Sequence, residues 1–439
     1  MIPYGRQSLD QADIDAVVEV LQSDWLTQGP GIERFEQAMA ERCQADFAVA
    51  VCNATAALHI ACLAAGLGPG DCLWTTPNTF LASANCGRYC GAEVDFVDID
   101  ALTAWLQKNL DGFKGPLTVE MFKGGQSNPT YKLLTPSKSY VMRAKPGPVA
   151  KLLPSAHAVE REFKVMSGLA GTDVPVPQMY CLCEDESIIG RAFYVMEFMA
   201  GRVLWDQSLP GMDNATRAAI YDEMNRVIAA LHTVKFGERG LADYGKPGNY
   251  FERQIGRWSK QYVASVTQPI PEMDRLMEWL PAHIPASARD ESMTSIVHGD
   301  FRLDNLMFHA TEPRAIAVLD WELSTLGHPL ADFSYHCMAW HIPHEMSRGI
   351  RGLDLKSLGI PTEDEYIRRY CDRTGLTTPE ALAPDWNFYL AYNLFRIAAI
   401  LQGIAKRVEA GTASSEQAVA SGRGARPMAE MAWQFAKKA

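Results

Sequence analysis

The stretch IVHGDFRLDN at 296–305 runs from an apolar pair into His298-Gly299-Asp300 and reaches Asn305 five residues after that aspartate. A second apolar run, IAVLDWE at 316–322, also stops at an acid, Asp320. Two strand-like runs that end in Asp300 and Asp320, with Asn305 between them, read as oxygen-bearing groups aimed at one point. Upstream the pattern is of short strands: LTVEMFK at 117–123, PTYKLLT at 129–135 and SYVMRAK at 139–145. A Gly-Gly-polar loop joins the first two, and glycine lets backbone N–H groups come close enough to fold over a phosphate. SAHAVEREFKVMSGLA at 155–170 reads as a helix, with Val159, Phe163, Met166 and Leu169 or Ala170 along one side and Glu162 beside them. DVPVPQMYCLCE and IIGRAFYVMEFMAGR follow as strands. Beyond about 205 the pattern is mainly helical, over 214–233, 249–265, 272–281, 363–374, 385–409 and 415–437. A small β-rich part at 101–203 is therefore expected ahead of a larger α-rich part at 204–439.

Length and composition bound the rest. At 439 residues the chain has room for two or three domains, and 47% hydrophobic with 21% charged residues is the balance of a soluble globular protein. The most apolar stretch, WNFYLAYNLFRIAAILQGIAKR at 386–407, contains Asn393, Arg396 and Gln402, which favours a buried core helix over a membrane span. MIPYGRQSLDQADID has no basic-then-apolar signal pattern. Ten scattered cysteines without a CxxC pair read as reduced thiols, so the expected location is cytoplasmic. A net charge of −11 argues against nucleic acid and anionic membranes as partners. That charge is uneven. Residues 1–100 hold four Arg, no Lys and 14 Asp or Glu, a net of −10, which leaves −1 for 101–439. Six of the ten Cys also fall in that first hundred, a shift in composition that suggests two sources for one chain.

The first hundred residues alternate helix and strand. Asp10 or Asp13 caps a helix to about Leu21, GIERFEQAMAERC at 31–43 is a second, and ATAALHIACLAAG a third. FAVAVC at 47–52, CLWTTP and EVDFVDI are strand candidates. IPYGRQSLDQADIDAV, SDWLTQGP, NATAALHIACLA, TTPNTFLASANC and GAEVDFVDID resemble the DegT-type sugar aminotransferases, in particular the nucleotide-sugar transaminases of pseudaminic acid synthesis. The resemblance implies that Ala54 and Thr55 cradle the phosphate of pyridoxal phosphate and that Phe80 lies against its ring. That chemistry needs a Schiff-base lysine, and none precedes Lys108. The segment is therefore expected to be a truncated α/β, PLP-transferase-like piece without transaminase activity. Its cut sheet would leave open edges through which copies associate.

The chemistry of the opening stretch is sharper. Transfer of a phosphoryl group needs an acid beside the attacking hydroxyl, a divalent metal between phosphates, and cations on the group in transit. An aspartate with an asparagine five residues on, followed by a separate aspartate, is the order found in kinase catalytic and metal loops. FKGGQSNPTYKL, LLPSAHAVEREF, FYVMEFMAGR, IVHGDFRLDNLMFH, AVLDWELSTLGHPLADFSYHC and NLFRIAAILQGIAKR resemble the aminoglycoside phosphotransferase (APH)-like kinases, in the branch found beside or fused to acyl-CoA dehydrogenases. The resemblance implies an α+β, bilobal protein-kinase-like fold that uses ATP and Mg2+. In it Asp300 accepts or orients the acceptor's proton, Arg302 lies near the transferred phosphate, and Asn305 and Asp320 hold magnesium. Gly124, Gly125, Ser127 and Asn128 form a phosphate lid. Arg143, with Lys145 as the alternative register, faces Glu162 and the ATP phosphates. Met196 backs the adenine slot, and backbone groups of Glu197 and Met199 meet the adenine edge. Asp332 is a buried anchor.

Three further patterns carry less. GLADYGKP at 240–247 has proline where a P-loop needs Ser or Thr, and GLGPGD at 66–71 lacks the helix start of a dinucleotide loop. His336, Cys337, His341 and His344 lack a zinc-motif spacing, so Trp340 and His341 are expected to face the acceptor instead. The near-neutral 101–439 does not call for a polycationic drug as acceptor. The resemblance points to a small molecule's hydroxyl, such as one on a hydroxyacyl-CoA. The competing readings are a nucleotide-binding pseudokinase, with Arg143 marking lost catalysis, and the disfavoured transaminase.

Overall fold

The computed structural model describes residues 9–26, 29–76, 79–96, 99–122, 128–146, 158–346, 348–409 and 416–439. The chain forms two compact units, Met1–Leu102 and Thr103–Ala439.

In the first unit, α1 (Gln11–Leu21) starts at a capping box in which Asp10 and Asp13 satisfy each other's backbone N–H. Helix α2 (Pro30–Cys43) opens on a proline, and α3 (Ala54–Ala64) is capped by the Asn53 side chain. Strands β1 (Cys72–Thr75) and β2 (Glu93–Phe96) pair in parallel, connected through α4 (Ala82–Tyr89). The strand expected at 47–52 does not form. Its Ala50 N–H goes to Glu36 Oε1 at 2.7 Å, and the sheet described beside it has only two strands to offer a partner. Helices α1 and α2 bury no side chain, and Trp25, Phe35 and Phe47 stay exposed.

Helix α5 (Ile99–Asn109) leads across the boundary. Strands β3 (Thr118–Met121), β4 (Thr130–Leu134), β5 (Ser139–Ala144), β6 (Met179–Cys183) and β7 (Phe193–Glu197) make one antiparallel sheet in the order β3-β4-β5-β7-β6. Alternation sends Tyr131 and Leu133 of β4 inward. Helix α6 (Val159–Leu169) lies on β6 and β7 and buries Val159, Glu162, Val165, Met166 and Leu169. After β7 the chain passes to β8 (Arg202–Val203) through Gly201, where a Cβ would come within 2.5 Å of Met307 Cγ and Phe308 O. Only glycine lets the connection lie that close.

The remainder is helical: α7 (Asn214–His232), α8 (Tyr250–Ser265), α9 (Pro271–Ala282), α10 (Pro329–Cys337), α11 (Leu355–Leu358), α12 (Glu363–Thr374), α13 (Pro379–Leu382), α14 (Trp386–Glu409), α15 (Glu416–Gly422) and α16 (Ala425–Ala436). The single helix expected over 415–437 is thus two, parted between Gly422 and Gly424. Helix α14 is central, packing against α8, α10 and α16. It belongs to the one helical stretch among the described residues, Pro379–Glu409, with the length and hydropathy of a span, and most of that window is buried in the protein. Each fully buried Leu, Ile or Phe here contributes about 1.5–3 kcal/mol. Two short antiparallel ladders interrupt the helices. Strand β10 (Leu306–Phe308) lies between β11 (Ala315–Val318) and β8, and β9 (Ser295–Val297) pairs with β12 (Thr325–Gly327). These ladders carry the two acid-tipped runs.

Candidate active site

Strand β9 delivers His298, Gly299 and Asp300 into a turn. Gly299 has φ +82°, and a Cβ there would lie 2.8 Å from Leu323 O, so the turn requires glycine. The turn is tied down from α10. Asp332 accepts the backbone N–H of His298 at 2.7 Å and of Gly299 at 2.8 Å, and contacts His232 Nε2 at 3.3 Å. Burial alone would raise the Asp332 pKa, but His232 and these donors outweigh it and hold the carboxyl below its ordinary value. His298 braces the turn, its Nε2 donating to Leu319 O at 2.8 Å and its Nδ1 accepting from Asp300 N at 3.2 Å.

A single 3₁₀ turn over Leu303–Asn305 then brings Asn305 back beneath Asp300. Asn305 Nδ2 donates to Asp300 O at 2.8 Å and to Asp300 Oδ2 at 3.0 Å. Leu306 pairs with Val318, and Leu319 N donates to Asn305 O at 2.8 Å, which sets Asp320 beside the loop. Asp320 is in the left-handed region, φ +65°, an uncommon conformation for a residue with a side chain. The structure thus brings Asp300, Asn305 and Asp320 together from runs twenty residues apart.

Asp300 is held on both oxygens. Oδ2 takes Asn305 and, at 3.0 Å, Arg302 Nη2; Oδ1 accepts a close hydrogen bond from the Tyr335 hydroxyl. Its side chain keeps 19% of its surface open to solvent. Arg302 also pairs with Asp304 at 3.5 Å, and Arg348 reaches the other Asp304 oxygen at 3.3 Å. Burial pushes the Asp304 carboxyl up, against the pull of Arg302.

Arg143 of β5 faces this loop. Its Nε lies 3.1 Å from Glu162 Oε2 and its Nη2 3.1 Å from Asp320 Oδ1. Burial pulls the Arg143 pKa down, but Glu162, Asp320 and their neighbours overcome it and leave the guanidinium more firmly protonated than usual. Lys145, the alternative register, turns to Glu160 at 3.0 Å instead. Glu162 is buried at the base of α6 and also takes hydrogen bonds from Asn128 Nδ2 at 2.7 Å and the Tyr194 hydroxyl at 3.1 Å.

Of the four residues expected to form a phosphate lid, Asn128 is the one described. Its side chain is buried against Glu162. The physical reason is that a buried carboxylate needs donors, and an amide at the foot of β4 supplies one. The other residues assigned to the lid, Gly124, Gly125 and Ser127, lie outside the described residues. Met196 sits half-buried on β7 opposite Val141. The Glu197 N–H is taken by Gln178 O at 2.8 Å, and Met199 follows in the connection toward β8.

Trp340 and His341 do not face Asp300. Trp340 is buried and donates to Pro361 O at 2.9 Å, while His341 Nε2 meets Glu363 Oε1 at 2.8 Å. An indole N–H inside a core takes the nearest carbonyl, which the sequence pattern does not reveal. His336 and Cys337 are buried in α10, His336 Nε2 bonding the Tyr366 hydroxyl at 2.7 Å. Two residues that touch the loop escaped the sequence reading. Tyr335 lies three positions after Asp332, one helical turn along the same face, and that spacing could have found it. Arg396 is a single cation in the apolar run NLFRIAAIL, and its Nη2 closely contacts Gly299 O. In the first unit, Ala54 and Thr55 open α3 and Phe80 is exposed.

Comparison with known proteins places this geometry in a family. The profile of the phosphotransferase enzyme family matches residues 118–408, and that of the DegT/DnrJ/EryC1/StrS aminotransferase family matches residues 7–110. The chain belongs to the phosphotransferase enzyme family and carries a DegT-type N-terminal segment, as the sequence motifs indicated. Over 342 residues it is 48% identical to acyl-CoA dehydrogenase family member 10 of Mus musculus, covering 77% of this chain and 31% of that protein. The chain spans less than half the length of such curated relatives. A crystal structure from Ralstonia eutropha, of a protein provisionally assigned as an aminoglycoside phosphotransferase, matches with TM-score 0.71 and 65% identity over 78% of this chain and 98% of that one. Choline kinase from Cryptosporidium parvum shares the fold, with TM-score 0.55 at 13% identity, over 78% of this chain and 96% of that one. The kinase-like α+β fold preceded by an aminotransferase-like segment is thereby established.

Proposed function

We propose that the chain is an ATP- and Mg2+-dependent phosphotransferase acting on a hydroxyl of a small molecule. The observation that carries this reading is the meeting of Asp300, Asn305 and Asp320 in one hydrogen-bonded loop pair, with Arg143 and its buried partner Glu162 opposite. The donor set fits the metal. A carboxylate with 34% of its surface exposed and an amide whose nitrogen is already engaged offer hard oxygen ligands, which suit Mg2+ better than a soft metal. Asp320 and Asn305 Oδ1 would hold it. Bound Mg2+·ATP supplies the phosphoryl group, with its charge partly neutralised.

The chain's own groups do the rest. Arg143 and Arg302 place positive charge on either side of Asp320 and Asp300, where an anionic phosphate chain would lie. Asp300, partly open and fixed on both oxygens, is positioned to orient an incoming hydroxyl and take its proton. The mouse relative named for an acyl-CoA dehydrogenase supports an acceptor hydroxyl on an acyl chain, such as a hydroxyacyl-CoA.

ADP release with ATP, Mg2+ and a panel of hydroxyacyl-CoAs, amino alcohols and aminoglycosides tests the reading. Asp300→Asn is expected to cut turnover about 10²–10⁴-fold while leaving the Mg2+·ATP Kd within about twofold. ATP binding without turnover on any acceptor would favour a nucleotide-binding protein that transfers nothing. Turnover on aminoglycosides alone would remove the acyl acceptor.

A further inference from the structure

Tyr335 and Arg396 lie behind the catalytic loop. Helix α10 holds that loop through two polar side chains at the acid itself. Asp332 fixes the main chain at His298 and Gly299, and Tyr335, three residues further along the same face, donates its hydroxyl to Asp300 Oδ1. One rigid helix therefore sets both the path of the turn and the direction of the carboxylate.

Arg396, from α14, closes the arrangement. It is buried, its Nη2 contacts Gly299 O, and its guanidinium lies 5.0 Å from the Tyr335 ring centroid and 5.5 Å from that of Trp258. Its Nε has no hydrogen-bond partner. Among the described residues no carboxylate comes within ion-pair distance, and Asp300 is the acid whose charge acts on it, alongside the phenols of Tyr392, Tyr335 and Tyr250. A buried cation without a salt bridge is costly to keep for packing alone. Here two aromatic faces and one loop carbonyl hold it, and its field falls on the acid that directly follows the carbonyl it grips.

We propose that Tyr335 and Arg396 form a positioning pair for Asp300: Tyr335 locks the carboxylate's orientation, and Arg396 locks both the Tyr335 ring and the Gly299 carbonyl. The proposal rests on the phosphotransfer reading of Asp300. Their contacts are with Asp300 and the turn that carries it, so the pair is assigned to act through Asp300.

The test uses the full chain. Tyr335→Phe removes one hydroxyl and keeps the ring. It should lower kcat about tenfold, as loss of one hydrogen bond to a charged group implies, with KM for ATP within about twofold of wild type. Arg396→Met should do likewise, and Arg396→Lys should recover part of the loss. The double variant Tyr335→Phe/Arg396→Met should be no slower than the worse single variant by more than about twofold, because the two act as a unit. A readout independent of turnover is the ¹³C carboxyl resonance of Asp300 in aspartate-labelled protein, assigned by its loss in Asp300→Asn. It should move in Tyr335→Phe at fixed pH. Unchanged kcat with an unmoved resonance overturns the proposal, as does a loss confined to thermal stability. If the wild-type chain turns over no acceptor, the phosphotransfer reading fails, while the resonance still decides whether Tyr335 orients Asp300.

Discussion

Arg143 reaches two carboxylates at once, Glu162 on the helix behind it and Asp320 in the loop before it, each at 3.1 Å. A guanidinium makes both contacts from one plane; an ammonium is a point donor on a flexible stem. Arg143→Lys should therefore keep the charge and lose one contact, lowering kcat/KM for ATP about tenfold, and Arg143→Met about a hundredfold. Steady-state ADP release decides. Equal losses in the two variants would mean that geometry matters more than charge, and no loss in either would take Arg143 out of the nucleotide site. The pairing was expected because the resemblance to the APH-like kinases implies that Arg143 faces Glu162, and the two meet at 3.1 Å. The Asn128–Glu162 contact was not, since nothing in a Gly-rich hairpin marks which polar residue turns inward. Tyr335 and Arg396 stayed hidden for a related reason. A phenol or guanidinium inside an apolar helix looks like core or surface until the loop it touches is in place.

At the scale of the element, α10 buries all nine of its residues, including His336, while His328 caps its start. Burial pushes both imidazoles down to about 4, against the opposing pull of Asp332 and the Phe301 backbone on His336 and of Ser287 O on His328. In the unfolded chain both return to about 6.5. Between those values the unfolded state binds protons that the folded state does not, so folding stability rises with pH across the window. It is complete above about 6.5 and falls as pH drops toward 4. The shift is worth at most about 3 kcal/mol per histidine. Protonation of His328 would also cost the N-cap, because its Nδ1 accepts the Leu330 N–H at 3.3 Å. The unfolding midpoint should therefore drop steeply from pH 6.5 to 4, and His336→Asn should flatten that slope while lowering stability at pH 7. Calorimetry at stepped pH measures both, and parallel curves for the two proteins would refute the assignment to His336. Asp332 was expected as a buried anchor alongside the family resemblance, but the helix that carries it was not among those expected from the sequence. The neutral state of its histidines was not readable either, because it depends on aromatic neighbours such as Phe301 at 5.3 Å and Tyr366 at 5.4 Å that arrive from distant segments.

For the whole molecule, the chain's two compositions correspond to two levels of internal packing. In residues 103–439 the helices share one continuous apolar core. Among the described residues of the first unit α1 and α2 bury nothing, the parallel sheet has two strands, and Trp25, Phe35 and Phe47 face outward, Phe47 with 88% of its surface exposed. The Ralstonia structure, 98% of which is covered by 78% of this chain, shows that a related phosphotransferase region exists as a chain of about its own length. Removing residues 1–98, which keeps α5 whole, should leave the Mg2+·ATP Kd within about twofold and the main thermal transition within a few degrees, because little of the core is lost. Calorimetric titration and scanning measure these. Loss of nucleotide binding in the shortened protein would show that the front segment supports the site. The exposed apolar side chains of the first unit also predict self-association. Light scattering should then give a concentration-dependent mass for the full chain and a monomer for the shortened one, and a monomeric full chain at high concentration would refute association through this segment.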